Sequence, residues 1–482
     1  MAEPLAAPSG VVRTEVLVVG SGPGGAITAA LLAEAGRDVL LLEDGVFLPL
    51  ESCPPFSREE MMQKYRGGGV TVAMGTPKVA YIEGRCVGGG SEINSGLYHR
   101  TPPEVLARWR DDFAIDGLTD ADLEPHFVAC ERDLSVTALP GAPPPASRKL
   151  ADGARALGWA SLEVPRWFRY DGDGGRGTRQ SMTKTYVPRA LAAGCRLLPA
   201  TRVLRLRANG GHWTAAAIHR PAEGAPRTVA VDADTVFVCA GAVQTPALLR
   251  RSGITRNVGD SLGMHPTAKY VAVFPDEVNA EDMGVPAHQV KEFAPRFSFG
   301  CSISSPPYLA LAMLDHPDDA ARVEHEWRRM AIYYAMTGGG RGAVRPLPGF
   351  ADPLVRYRLD DGELAEVGAA MVELGRCLLA AGAVALYPSI ARGPRVTCED
   401  DLGALHVPAR DRLNLMTVHL FASCPMGERR ERAAVDSFGR VHDARGLHIA
   451  DASILCGPPG VNPQGTVMAL ARRNALAFLR RS

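Results

Sequence analysis

TEVLVVGSGPGGAITAALLAEAG, residues 14–36, carries the reading that decides the fold. TEVLVVG (14–20) is a short β-branched apolar run, which predicts a fully buried parallel strand. A helix is predicted from about Gly24 to Ala35, stopped by Gly36. DVLLLEDG (38–45) predicts a second buried strand, so the chain opens with a β-α-β unit. Between the first strand and the helix, Gly20-Ser21-Gly22-Pro23-Gly24-Gly25 fits the dinucleotide fingerprint. Gly20 would permit the tight turn, Gly22 the close approach of a pyrophosphate, and Gly25 the packing of helix on strand. The helix N-terminus offers free N–H groups and the positive end of its dipole to phosphates. Glu43, ending the second strand, is placed to accept hydrogen bonds from ribose hydroxyls and to repel a 2′-phosphate. The motif alone does not separate FAD from NAD.

Working outward, a chain of 482 residues is too long for one small core and predicts one large bilobal protein or two to three domains. Its 46% hydrophobic and 22% charged residues are those of a soluble globular protein. Lysine plus arginine equals aspartate plus glutamate at 53 each, which gives no hint of a nucleic-acid partner or a membrane-surface field. The ten cysteines form no CxxC pair. That argues against a zinc site or a disulfide scaffold and points to reduced thiols in a cytoplasmic protein. MAEPLAAPSGVVRTE lacks the basic and apolar regions of a signal peptide. No apolar run reaches the roughly 18 residues that a membrane span needs.

Short strand-like runs recur at 195–207, 235–242 and 447–455, and helices are expected at 244–254, around 318–331, around 363–382 and at 465–480. Glycine-rich loops are read at 84–96 and 171–178. MTVHLFASCPMG (416–427) holds one histidine, His419, among apolar and small residues. Alone, it reads as a hydrogen-bonded core histidine.

Four further segments change that reading. GRCVGGGSEINSG (84–96), CAGAVQTPALLRRSGI (239–254), VGDSLGMHP (258–266) and the C-terminal block of MTVHLFASCPMG, VDSFGRVHDARGLHIADASIL (435–455) and GVNPQGTVMALA (460–471) run in order along the chain. Together they resemble the glucose–methanol–choline (GMC) oxidoreductases, FAD-dependent alcohol oxidases and dehydrogenases. The pattern is most similar to bacterial cholesterol oxidase-like and long-chain alcohol oxidase-like members.

The resemblance implies an α/β fold, α+β over the whole chain. A discontinuous Rossmann-type FAD-binding domain (1–105, 187–265, 410–482) would carry an inserted substrate-binding domain (106–186, 266–409), an antiparallel sheet flanked by helices. It implies that Arg85, Gly89, Gly90, Ser91 and Asn94 meet the cofactor, although Asn94 also reads as a helix cap. It implies that the Val203 backbone lies by the adenine, Asp451 by the pyrophosphate or ribityl chain, and Pro463 and Gln464 at a helix N-terminus facing the flavin. Members with covalent flavin often carry histidine just before the signature asparagine. Ile93 stands there, so FAD is expected to bind non-covalently.

The same resemblance makes His419 the base that takes the hydroxyl proton, with Asn462 holding the substrate oxygen as hydride passes to flavin N5. The expected reaction converts a primary or secondary alcohol to an aldehyde or ketone, with O2 or another electron acceptor reoxidising the flavin. The largely apolar run FSFGCSISSPPYLALAML (297–314) favours a lipophilic or natural-product-like alcohol over a sugar. His265 is expected to be structural, His442 and His448 to lie off the site, His99 to stand near it, and Cys424 and Cys456 to be packing thiols. A non-redox lyase of the same family is the alternative; a nicotinamide-dependent dehydrogenase or a non-catalytic flavin binder would be further ones. No metal is expected.

Overall fold

The computed structural model describes residues 10–171, 177–281 and 284–481. Most of the glycine-rich stretch read at 171–178 and of the N-terminal segment lies outside the described residues.

Two sheets organise the chain. The first has seven strands. Val11–Val19 stands at its centre, parallel to Val39–Leu42 on one side and to Arg227–Val238 on the other. Arg196–Leu198 and Leu447–Ile449 extend the parallel set at either side. The long strand Arg227–Val238 also pairs antiparallel with His212–His219, which pairs with Thr201–Asn209. Val16, Leu17, Val18 and the whole of Val39–Leu42 are buried, as strands covered on both faces require. The helix Pro23–Glu34 has proline at its first turn and ends before Gly36, whose φ of +81° a side chain would strain. It is apolar nearly all round because it lies between this sheet and the C-terminal helix Gln464–Arg481.

The second sheet has nine strands, mostly antiparallel, and Thr267–Val273 and Met330–Thr337 run through its middle. Its two faces have different fates. Ala268, Tyr270, Ala272, Tyr333 and Ala335 point to a core closed by the helices Asp361–Ala380 and Pro145–Ala156. The longer helix is started by a reciprocal capping box, with Asp360 accepting from the Glu363 N–H and Glu363 from the Asp360 N–H, both at 2.8 Å. The opposite face, bearing Thr267, Lys269, Tyr334 and Met336, looks into the cavity described below.

The strands Thr71–Ala73 and Val79–Tyr81, and Leu415–Thr417, pair into this second sheet although their chain segments flank the first.

The helix expected around 318–331 is only Arg322–Glu326 with a following 3-10 turn, Trp327–Arg329. Met330 already has extended backbone, because its alternating run fills the gap between Thr267–Val273 and Phe297–Cys301. The strand expected at 447–455 stops at Ile449. There the Asp451 carboxylate takes the Ser453 N–H at 2.8 Å and turns the chain into a 3-10 helix. No described helix is long and apolar enough to cross a membrane.

Candidate active site

One cavity of about 540 Å³ runs from the fingerprint loop at the C-terminal end of Val11–Val19 to the open face of the nine-stranded sheet. That volume lies within the range of cofactor and ligand sites. Its first half is a cradle of glycines. A methyl added to Gly20, whose φ is +100°, would meet the Cys239 carbonyl oxygen at 2.4 Å, and one on Gly25 would meet the Gly20 oxygen at 1.9 Å. Gly24 is as closed, with the Ala450 oxygen 1.7 Å from such a methyl. Gly22 and Gly90 differ: both line the cavity, and added methyls there would meet nothing within 4 Å. Gly89, with φ of +54°, is stacked against Gly22, where a methyl would sit 2.9 Å from the Gly22 Cα. Bare backbone thus faces open space at two loops and two helix N-termini, the arrangement a pyrophosphate requires.

Glu43 lines this half, but its oxygens also close the loop. They accept from the Ser21 N–H at 3.0 Å, the Ser21 hydroxyl at 2.7 Å and the Gly45 N–H at 2.8 Å. Burial raises its pKa and these bonds oppose the rise. Asp451, also on the cavity, accepts from the Gly241 N–H at 2.9 Å and from Thr245, tying the second signature to the C-terminal block. Asn94 donates to Gln464 Oε1 at 2.6 Å and accepts from the Gly96 N–H at 3.0 Å, so it joins the first signature to the N-terminus of Gln464–Arg481. Pro463, Gln464, Ile93 and Val203 line the same space.

Two expected residues are placed elsewhere. The Ser91 hydroxyl donates to the Gly88 carbonyl at 2.8 Å and accepts from the Met182 N–H at 3.0 Å, away from the cavity. Arg85 pairs with Asp44 at 3.4 Å and does not line it either. Two arginines that no motif flags do line it. Arg66 bridges Asp44 and Asp352, each at 3.1 Å, and Arg202 joins Asp352 at 3.0 Å. Only the fold brings these charges together, so the sequence carried no signal for them.

The second half holds a constellation of polar side chains around His419. Asn462 Nδ2 lies 3.2 Å from His419 Nε2, and His265 Nδ1 lies 3.0 Å from His419 Nδ1. Gln289 Nε2 donates to Asn462 Oδ1 at 3.4 Å and to the Tyr334 hydroxyl at 3.1 Å. The chain of bonds sets the tautomers. Asn462 Nδ2 can only donate, so His419 Nε2 accepts and is unprotonated. The ring proton of neutral His419 is then on Nδ1 and points to His265 Nδ1, which must accept it. Burial lowers the His419 pKa to about 4, with the nearby Lys291 ammonium adding to the effect. His265 is pushed down as well, chiefly by burial and then by His419. Both imidazoles are therefore neutral at neutral pH.

The remaining histidines sort by place. Burial takes His99 down to about 3; the His419 ring adds to this and the Gln289 amide opposes it, so His99 stands beside the constellation but off the cavity wall. His448 is stacked on Phe237 at 4.6 Å, and His442 bonds the Gly427 carbonyl at 3.0 Å. All ten cysteines are free, and burial pushes Cys424 and Cys456 well above the ordinary thiol range. Among the described residues no group of histidine, cysteine, aspartate and glutamate could hold a metal ion.

Comparison with known proteins matches residues 61–267 and 303–471 to the GMC oxidoreductase family and residues 13–46 to an FAD binding domain. An uncharacterized GMC-type oxidoreductase of Sinorhizobium fredii is 38% identical over 98% of this chain and 95% of that protein. The chain belongs to the GMC oxidoreductase family. This oxidoreductase is also 25% identical to a long-chain-alcohol oxidase of Arabidopsis thaliana, over 95% of this chain and 67% of that one. Among solved structures, pyridoxine 4-oxidase from Mesorbium loti has a TM-score of 0.73 at 19% identity, covering 97% of this chain and 99% of its own, which shows a shared fold. FAD is the cofactor of this GMC oxidoreductase, and the open glycine cradle and cavity fit it.

Proposed function

We propose that this GMC oxidoreductase oxidises a lipophilic primary or secondary alcohol to an aldehyde or ketone. The observation that carries the reading is the convergence of His419 Nε2 and Asn462 Nδ2, 3.2 Å apart, where the cofactor cradle meets an apolar chamber. When bound, FAD supplies the hydride acceptor. A substrate hydroxyl that displaces the Asn462 amide from His419 Nε2 donates its proton to that nitrogen's lone pair, while Asn462 Nδ2 donates instead to the substrate oxygen as it gains negative charge. His265, held neutral, accepts from His419 Nδ1 and steadies the imidazolium that forms. The Lys291 ammonium, which lowers the pKa of His419, favours negative charge on the substrate oxygen.

The first sheet with its cradle would bind the cofactor and the nine-stranded sheet would read the substrate. Met61, Ile303, Ile332, Met336 and Met416 give the chamber an apolar wall, which supports a lipophilic substrate. The name of the long-chain-alcohol oxidase relative points the same way. Reoxidation by O2 or another acceptor completes the cycle. Ile93 beside the cradle offers no nucleophile to the flavin, so acid precipitation should release all yellow colour from the protein.

Anaerobic mixing with a panel of aliphatic, aromatic, steroid and sugar alcohols tests the reaction. Bleaching of the flavin band by a lipophilic alcohol is expected. His419→Ala should keep FAD and slow bleaching by at least about 100-fold, the scale of a lost general base. Near-normal bleaching would return His419 to a structural role. Cyanohydrin cleavage without bleaching would favour the lyase.

A further inference from the structure

The chamber floor holds an ammonium that the reaction does not use. Thr267 and Lys269 alternate onto the cavity face of Thr267–Val273, and Lys269 is the cross-strand partner of Tyr334. Lys269 has no ion pair among the described residues, and Asp315 is the one carboxylate whose charge acts on it. Burial lowers the Lys269 pKa, and a bound anion would oppose that. Tyr334 accepts from Gln289, and its own hydroxyl proton has no acceptor among the described residues, so a second free donor faces the chamber beside Lys269. Gly300 makes room for this arrangement, since a methyl there would meet the Tyr334 hydroxyl at 2.3 Å.

The acids of the cavity lie elsewhere. Every carboxylate lining it, Glu43, Asp44, Glu83 and Asp451, belongs to the cradle end. The sheet end therefore presents hydrogen-bond donors and one cation inside an apolar wall. A purely hydrocarbon alcohol would leave both donors unanswered, which is costly in a dry site.

We propose that the substrate is an amphipathic hydroxy acid, with its hydroxyl between His419 and Asn462 and its carboxylate on Lys269 and the Tyr334 hydroxyl. Lys269 stands four positions after His265, which touches His419, and the chain is strand from Thr267 on, so the apolar spacer is on the order of 10 Å. The inference rests on the alcohol-oxidising reading for its hydroxyl end and on Lys269 and Tyr334 for its acid end.

The test uses the holoenzyme. Binding of unreactive alkanoates is read from the perturbed flavin spectrum, and anaerobic bleaching is followed with ω-hydroxyalkanoates of increasing length and with their methyl esters. The free acids should outperform the esters by about tenfold to a hundredfold in kcat/KM, the scale of a charge-assisted bond in a partly dry site. Lys269→Met should erase that preference and the alkanoate signal while keeping the flavin. Lys269→Arg should restore part of the preference. Equal alkanoate binding by wild type and Lys269→Met would overturn the proposal. So would loss of flavin from Lys269→Met, which would assign the lysine to the cradle. Bleaching by alcohols with no acid preference would sink the hydroxy acid and spare the reaction. Lys269-dependent alkanoate binding with no bleaching by any alcohol would do the reverse.

Discussion

Replacing His265 with leucine isolates the tautomer argument. His419 Nδ1 and His265 Nδ1 lie 3.0 Å apart, and both rings are buried and neutral. In His265→Leu the Nδ1–H of His419 has no acceptor. Leaving a buried donor unpaired costs about 1–3 kcal/mol. The ring can escape that cost by moving its proton to Nε2, which removes the lone pair that we propose as the base, or by keeping an unpaired donor that becomes worse as positive charge develops. At about 1.36 kcal/mol per decade, either route slows flavin reduction by roughly 5- to 150-fold. The assay is anaerobic stopped-flow bleaching under saturating substrate, with flavin content and thermal stability measured in parallel. His265→Asn, whose side-chain oxygen can accept, should recover part of the rate, while a purely packing role would favour leucine over asparagine. Wild-type reduction by His265→Leu, or a rate lost equally in both variants, would refute the reasoning.

Two further predictions separate cofactor chemistry from folding. Gly22→Val should fold but fail to hold FAD, because its side chain would enter open cavity, whereas Gly24→Ala should lower stability by about 1–3 kcal/mol, since its methyl would press on the Ala450 carbonyl. Far-UV spectra, melting temperature and flavin content of the two variants check this. Acid should destabilise the apoprotein through its buried histidines. His419 and His448 titrate near 4 when folded against 6.5 when exposed, so the stability that their neutral forms confer is complete above pH 6.5 and is lost as pH falls toward 4. Each contributes a loss of about 2 kcal/mol by pH 5. His448→Phe, between Phe237 and Phe478, should shallow that dependence in urea titrations at pH 7 and pH 5. An unchanged slope would remove His448 from the account.

The β-α-β opening was legible because its information is local. Three glycine positions, a buried strand and a proline at the first helical turn lie within a short run, and the fold places each where the pattern requires. His419 and Asn462 were legible only through their flanking motifs, and the fold brings them together from positions 43 residues apart. Arg85 and Ser91 belong to the right loop but face other neighbours, because a loop's sequence does not say which side chains turn inward. The helix read around 318–331 was cut short at its C-terminal end for a related reason: two neighbouring strands, not local propensity, claimed Met330–Thr337.

By itself the sequence determined the family and the cofactor, and it singled out the pair of polar groups that we propose for the reacting centre, since each is written in contiguous residues whose types the chemistry constrains. Tertiary structure alone decided which ring sets the His419 tautomer, which arginines close the cradle and which lysine stands on the chamber floor. Arg66, Arg202 and Lys269 carry no local signature, and the motif that holds His265 does not say that its ring meets His419. Their roles come from distances of a few ångströms between segments far apart in the chain, and hydrogen bonds and ion pairs depend on those distances rather than on sequence separation.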